Sequence, residues 1–261
     1  MYSYKYRILN NENTYNKMAK INVISLYSGA GGLDLGFEQA GFKIKLAIEI
    51  DKSCCKTLKK NFKNLKVLNE DINNISYKRI LKEAEIKKVD LLIGGPPCQS
   101  FSLAGKRKGL KDKNGKQIIN FIKLIMQLKP KVFLIENVKG MVNWKKGLVL
   151  EYIVDELSKK FMIDGKSYKY NIDYKVLNAL NYGVPQVRER IFIVGNLFNK
   201  RFSFPNEQYA ANNNQPSLFG NLKKIKTVKD AISKLPKADE PSIQALSVAK
   251  TIKKRINDYG Y

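Results

Sequence analysis

Short apolar runs alternate along this chain with stretches of helical spacing, and that rhythm sets the narrowest limit on its fold. Ile21 to Tyr27 is apolar and β-branched and ends in Ser28-Gly29-Ala30-Gly31-Gly32. Leu33 to Ala40 has helical spacing, Gly41 stops it, and Lys43 to Ile50 alternates polar and apolar residues as a strand does. Strand, glycine turn, helix, strand is a βαβ unit. The rhythm continues through a Lys-rich helix from Lys52, a short strand at Leu65 to Leu68, a helix near Tyr77 to Ile86 and a buried strand at Val89 to Ile93. It then runs through a helix at Ile118 to Leu128, a strand at Val132 to Ile135, a helix at Leu148 to Phe161, and strands at Tyr170 to Leu177 and Arg190 to Gly195. Such alternation predicts an α/β fold with a doubly wound, mostly parallel sheet. Residues 1–20 read as a polar tail or short leading helix, 21–198 as the main domain, and 199–261 as a linker-like, Lys-rich remainder.

Charge narrows the partners. Lys and Arg number 48 against 23 acids, a net of +25, which favours polyanions because basic side chains release counterions when they meet phosphates. Lys dominates the basic residues, as in a compositionally biased genome, so part of this excess is solvated surface. Apolar runs stay short of a membrane span and the N-terminus lacks a signal peptide's apolar stretch, so a soluble intracellular protein is expected. Histidine is absent, which removes His-based triads and proton shuttles, and no metal site is expected. Cys54 and Cys55 fall in the Lys-rich helix and suggest neither a disulfide framework nor a metal knuckle.

Four stretches carry chemistry. The glycine turn sits at the carboxyl end of a strand, where open α/β sheets bind ligands, although a purely structural turn fits it as well. Glu49, seventeen residues on from Gly32, and Asp71 end successive strands. An acid there accepts hydrogen bonds from ribose hydroxyls or an adenine edge, though surface acids also occur in such places. Gly94-Gly95-Pro96-Pro97-Cys98-Gln99-Ser100 is more specific: two prolines fix a thiol at the edge of a buried strand, where backbone N–H groups would favour its thiolate if a helix or turn begins there, although lone cysteines are more often structural. Ser102 to Lys116 follows as a basic loop bearing Lys106, Arg107 and Lys108. Glu136-Asn137-Val138 ends the next strand with a carboxyl suited to proton donation, and Gln186-Val187-Arg188-Glu189-Arg190 sets two Arg two residues apart.

Taken together these stretches resemble the cytosine-carbon-5 DNA methyltransferase family. The glycine turn is similar to that family's Phe-x-Gly-x-Gly-Gly motif, with Tyr27 in the Phe place. Pro-Pro-Cys-Gln resembles its nucleophile motif, Glu136-Asn137-Val138 its Glu-Asn-Val motif, and Gln186 to Arg190 its Gln-x-Arg-x-Arg motif. All four occur in family order and span Ile21 to Asn196. The resemblance implies a Rossmann-like methyltransferase fold with S-adenosyl-L-methionine as cofactor. Tyr27, Ser28, Gly29, Ala30, Gly31, Gly32, Glu49, Ile50, Asp71, Ile72 and Pro97 would then line the cofactor site. It further implies that Cys98 adds to carbon 6 of a flipped cytosine, that Glu136 bonds ring nitrogen 3, and that Arg188 and Arg190 hold the base and loop. Gln99, Ser102, Lys106, Arg107 and Lys108 would face double-stranded DNA, as part of a restriction-modification system in the prokaryotic cytoplasm at the nucleoid.

Two departures stand out. The family's variable target-recognition domain and final Gly-Asn-Ser-Val-type motif have no counterpart in this sequence. Thr227 to Ile232 with Leu235-Pro236 resembles the lead-in to that domain, so a second polypeptide carrying the missing parts is an expected partner. Gln117 stands at a position of the loop-to-helix motif that is often apolar. A tRNA-modifying branch shares these motifs, which keeps cytosine-5 methylation of tRNA open as an alternative. A non-catalytic nucleic-acid-binding subunit retaining the fold is the alternative from another class.

Overall fold

The computed structural model describes residues 21–97, 115–143, 147–210, 222–233, 247 and 250. The chain divides into two compact units, one of Met1–Asn178 with Arg188–Asn206 and one of Ala179–Val187 with Glu207–Tyr261. The first holds a seven-stranded sheet. Its strands are β1 (Val23–Leu26), β2 (Ile44–Glu49), β3 (Lys66–Asn69), β4 (Leu91–Gly94), β5 (Val132–Val138), β8 (Asn171–Asn178) and β9 (Glu189–Asn196), in the order β3-β2-β1-β4-β5-β9-β8. The first five pair in parallel, and β9 runs antiparallel to both β5 and β8. The expected doubly wound, mostly parallel sheet is therefore present.

Strands buried on both faces need helices on both faces. On one face lie α1 (Gly32–Gln39) and α2 (Lys52–Asn61), where Leu33, Phe37, Cys55 and Leu58 pack over Val23, Leu91 and Ile93. On the other, α3 (Tyr77–Glu83), α4 (Gly115–Leu128) and α6 (Leu148–Leu157) bring Ile80, Phe121, Ile125 and Ile153 onto Ile24, Leu26, Leu92, Phe133 and Ile135. A four-residue helix, α5 (Gly140–Asn143), follows β5. Asp51 starts α2 by accepting from the Cys54 N–H at 2.8 Å, and Ser76 accepts from the Arg79 N–H at 3.3 Å to start α3.

The structure moves several boundaries. The sequence pattern predicts a helix to Phe161, but α6 ends at Leu157 and a hairpin follows, β6 (Phe161–Ile163) with β7 (Lys166–Tyr168). Asp164 and Gly165 form its two-residue turn with φ of 46° and 75°, the left-handed pair that Asp-Gly favours in hairpins. Strand β5 also runs on through Glu136, Asn137 and Val138 rather than stopping before them. In the second unit, β10 (Tyr209–Ala210) pairs with β11 (Lys223–Lys224). There α7 (Val228–Ile232) opens with Thr227 and Asp230 in a reciprocal capping box. No described helix is long and apolar enough to cross a membrane.

One buried group runs against the apolar rule. Asp34, in the first turn of α1, is 0% exposed, and neither carboxylate oxygen has a well-formed hydrogen bond among the described residues. Burial pushes its carboxyl up from 3.8 to about 6; the nearby Ser25 hydroxyl and the helix backbone offset part of this, and Glu38 adds to it. The charged form is therefore a burden on the fold. That burden is absent below about 3.8, grows as pH rises, and is complete above about 6. Asp34→Asn is expected to stabilise the protein at about pH 8, by on the order of 2 to 3 kcal/mol in urea unfolding. The gain should fade on acidification and vanish near pH 4; a gain independent of pH would contradict this account.

Candidate active site at the carboxyl edge of the sheet

Parallel pairing places four strand ends in one row: Leu26 lies beside Ile48 and Gly94, and Gly94 beside Ile135. One residue further on come Tyr27, Glu49, Gly95 and Glu136. The sequence-predicted site residues of β1, β2, β4 and β5 thus line up along one edge of the parallel half.

The glycine turn is held from two sides. Gly31 has φ +87°, and a Cβ there would lie 2.6 Å from the Phe62 ring and 2.7 Å from Leu58, so both conformation and space require glycine. From β2, Glu49 reaches across: its Oε2 accepts from the Gly29 N–H at 2.7 Å and its Oε1 from the Asp51 N–H at 2.9 Å. Each oxygen keeps capacity for a further donor. Glu49 is thus a brace for the turn as well as a candidate ribose contact, a role the sequence reading missed. Beside it Ile50 is 62% exposed, an apolar side chain left open at the edge. Asp71 caps the short 3₁₀ turn Ile72–Asn74 through Oδ1 alone, which takes both the backbone and side-chain N–H of Asn73 at 2.9 and 2.7 Å. Its Oδ2 carries no hydrogen bond among the described residues. Ile72, expected at the cofactor site, has its side chain in the core at 6% exposure, so it offers backbone only. Ser28 is likewise turned inward, its hydroxyl 2.9 Å from that of Ser25.

Past β4 the chain enters Gly95-Pro96-Pro97. Asn137, buried on β5, donates from Nδ2 to the Pro96 carbonyl at 3.0 Å and so fixes the backbone that leads to residue 98. Asn137 received no role from the sequence beyond its place in a motif; a polar side chain in a buried strand, next to an acid, was the available signal. Glu136 points to the same place: a Cβ on Gly95 would stand 3.1 Å from its Oε2. From β9, Arg190 brings Nε to 3.0 Å from Glu136 Oε1, with both side chains about a quarter exposed. Arg190 Nη1 donates to the Glu189 carbonyl at 2.8 Å, which fixes the guanidinium. Glu136 therefore sits against a cation and opens to solvent on one side.

Arg188 does not join this group. It is exposed and precedes β9, with its backbone N–H donating to Asn178 Oδ1 at 3.1 Å. Cys98, Gln99, Ser102, Lys106, Arg107 and Lys108 lie outside the described residues. Of the other thiols, Cys55 is buried and donates to the Glu49 carbonyl at 3.3 Å. Burial foremost pushes both Cys54 and Cys55 up, away from the thiolate form.

Two departures from the family pattern meet each other. The Tyr27 hydroxyl donates to Gln117 Oε1 at 2.9 Å, and the Gln117 carbonyl lies 3.2 Å away. A hydroxyl where the motif has Phe is thus answered by an amide where it is often apolar, tying the glycine turn to the start of α4. Burial, then the nearby Asp71, pushes the Tyr27 phenol far up, so it stays a donor. Tyr27→Phe and Gln117→Leu are each expected to cost stability by leaving one polar partner unmet. The double variant should cost less than the sum, with a coupling of about 1 kcal/mol in urea unfolding. Additive losses would show that the contact carries no energy.

Comparison with known proteins identifies the family. Residues 21–258 match the family model for C-5 cytosine-specific DNA methylases. The chain is 51% identical over 244 residues to the Type II methyltransferase M.AquIA of Picosynechococcus, a match covering 92% of this chain and 98% of that one. It is 43% identical over 190 residues to the Type II methyltransferase M.FnuDI of Fusobacterium nucleatum, covering 71% of this chain but 51% of that relative. Among solved structures, an E. coli prophage protein assigned as a DNA modification methyltransferase superposes with a TM-score of 0.64 at 30% identity, over 83% of this chain and 56% of that one. The chain thus spans nearly all of one relative and about half of others. On its matched span, its sheet and its edge residues, the chain belongs to the C-5 cytosine-specific DNA methylase family.

Proposed function

We propose that this chain is the catalytic portion of a restriction-modification enzyme that methylates carbon 5 of cytosine in double-stranded DNA, with S-adenosyl-L-methionine as methyl source. The observation that carries the reading is the convergence of Glu136, Arg190 and the Asn137-anchored Pro96 backbone at one strand edge, directly before Cys98.

The chain's own groups suit a nucleoside cofactor. Glu49 retains acceptor capacity for ribose hydroxyls, Asp71 Oδ2 is open to an amino or hydroxyl donor, and exposed Ile50 between them offers an apolar face. When bound, the cofactor supplies an electrophilic methyl group on a sulfonium. Residues 27–32 and Pro97 would enclose it.

The protein supplies the rest. Cytosine must leave the duplex, because a stacked carbon 6 is out of a thiolate's reach. The Cys98 thiolate forms a bond to carbon 6, and the displaced electron pair makes carbon 5 nucleophilic while charge collects at nitrogen 3. Glu136 is the group to hold a proton at nitrogen 3, and Arg190 keeps its carboxyl in place. After methyl transfer, loss of the carbon 5 proton to a base expels the thiolate and restores the ring. Arg188 and the basic loop with Gln99, Ser102, Lys106, Arg107 and Lys108 are assigned to DNA and loop positioning. Target choice falls to residues beyond the matched core, supplied by a second polypeptide. The 51% share of M.FnuDI beside the 98% share of M.AquIA supports that division.

The test combines this chain with the unmatched remainder of M.FnuDI, produced as a separate polypeptide, and measures labelled methyl transfer to duplex DNA and to tRNA. Transfer to DNA is expected; Cys98→Ser should abolish it while leaving cofactor binding nearly intact. Glu136→Gln should slow it about 10²- to 10⁴-fold. Transfer to tRNA alone, or undiminished transfer by Cys98→Ser, would overturn the proposal.

A further inference from the structure

Between residues 43 and 63 the chain carries seven lysines and two acids. All seven lysines are exposed, and none joins an ion pair among the described residues. The two acids, Glu49 and Asp51, lie at the carboxyl edge and accept backbone N–H groups there. Elsewhere in the same unit basic side chains find acids: Lys66 Nζ is 3.0 Å from Glu83 Oε2, and Lys131 Nζ is 2.8 Å from Asp90 Oδ1. Helix α6 carries Glu151, Asp155 and Glu156 and no basic residue. A Lys-rich composition alone would spread lysine over all the helices, whereas here charge is sorted by helix. The residues outside the described set offer no net counter-charge, since their acids (Glu12, Asp112, Asp239, Glu240 and Asp258) are outnumbered by their own basic residues.

The fold draws these lysines into one surface. Lys52, Lys56, Lys59 and Lys60 fall at i, i+4, i+7 and i+8 on one side of α2, while Cys55 and Leu58 hold the other side in the core. That spacing sets like charges beside each other, which by itself disfavours the helix. Lys59 and Lys60 suit the negative end of the helix dipole, but Lys52, in the first turn, opposes it. Beyond α2, Lys63 joins Lys43 and Lys45 around a hollow of about 680 Å³ at the amino ends of β2 and β3, with Glu38 as the acid among its lining residues. The six residues of β2 set this hollow roughly 16 Å from the site edge, at about 3.3 Å per residue.

An extended line of point charges fits an extended polyanion. Helix α2 has no Arg and no aromatic residue, so it can neutralise phosphates but can neither fork onto a base edge nor stack an unpaired base. A duplex, with one phosphate charge per about 1.7 Å of its axis, meets such a line whatever its sequence. We infer that the outer side of α2, with the hollow of Lys43, Lys45 and Lys63, binds the phosphate backbone of double-stranded DNA, apart from the reacting base and without regard to sequence. The inference rests on the proposed reading of the chain as a DNA-methylating enzyme and adds a second contact to it. The basic loop and the site edge serve the target, and this surface keeps the chain on DNA between targets.

The full chain is titrated with a labelled duplex of arbitrary sequence by fluorescence anisotropy over a range of salt. Lys56→Gln, Lys59→Gln, Lys60→Gln and Lys63→Gln combined should weaken binding about tenfold or more and lower the slope of log affinity against log salt by about 3, since each phosphate contact contributes about 0.9. The same charge removed from exposed Lys160, Lys166, Lys169 and Lys175 should change the slope by less than about 1. Arg at all four positions of the α2 surface should restore parental binding, because any cation there neutralises a phosphate. The Gln variant should unfold at no lower urea concentration than the parent, since it removes neighbouring like charges. Equal losses in the two Gln variants, an unchanged slope, or α2-dependent binding that prefers tRNA or single-stranded DNA would overturn the inference. In the complemented methylation assay the α2 variant should raise KM for DNA and keep the rate at saturating DNA within about twofold. Methylation with KM and slope both unchanged would remove this surface and leave the enzymatic reading. A lowered slope with no methyl transfer in any mixture would leave the surface and remove the enzymatic reading.

Discussion

In-register parallel pairing of β2, β1, β4 and β5 is the constraint on which the site depends. Leu26, Ile48, Gly94 and Ile135 share one row of the sheet, so the residues just beyond them, Tyr27, Glu49, Gly95 and Glu136, line the same edge. A shift of one residue in any pairing would turn that strand's apolar side chains from one buried face to the other and carry its site residue out of line. Packing on both faces therefore holds the chemistry in register. Leu92, Phe133 and Ile135, all fully buried, fix positions for Gly95 and Glu136 that neither residue fixes for itself.

On that frame a few polar contacts do the fine placement. Glu49 braces the glycine turn through the Gly29 N–H while its other oxygen takes the Asp51 N–H, Asn137 anchors the Pro96 carbonyl, and Arg190 meets Glu136 across the β5–β9 pair. Each reaches from one strand to the exit of another, so the turn, the Pro-Pro segment and the acid are positioned relative to each other. If these are the catalytic groups the proposed function requires, placing them this way would avoid the cost of ordering them during the reaction. The Arg190–Glu136 pair, at about a quarter exposure, is better read as orientation than as a source of stability.

Much of this was legible in the sequence because the signals were local. Short apolar runs, two of them closed by glycine, gave the strands of the parallel half, and spacing along the chain placed Glu49 and Asp71 at or just past strand ends, whereas Glu136, read as a strand end, lies inside β5. What stayed hidden depended on contacts distant in sequence. The Glu49 brace spans 20 residues, the Asn137–Pro96 bond 41, and the Tyr27–Gln117 bond 90. Arg188 and Arg190 looked equivalent two residues apart, yet only Arg190 lies in β9, where pairing to β5 brings it to Glu136. The β6–β7 hairpin was a missed local signal: Asp164-Gly165 marks its turn, and apolar Phe161 was drawn into the preceding helix instead.

The central proposal, that Cys98 attacks carbon 6 of cytosine while Glu136 serves ring nitrogen 3, is tested most directly by trapping. Duplex DNA with 5-fluorocytosine at the target is incubated with cofactor, this chain and a complementing recognition half, and the product is digested for mass spectrometry. Fluorine at carbon 5 replaces the proton that must leave, so the reaction should stop with the base covalently attached. The account predicts a methylated fluorocytosine mapped to the peptide containing Cys98. An adduct on Cys54 or Cys55, or methylated DNA released with no adduct at all, would contradict it.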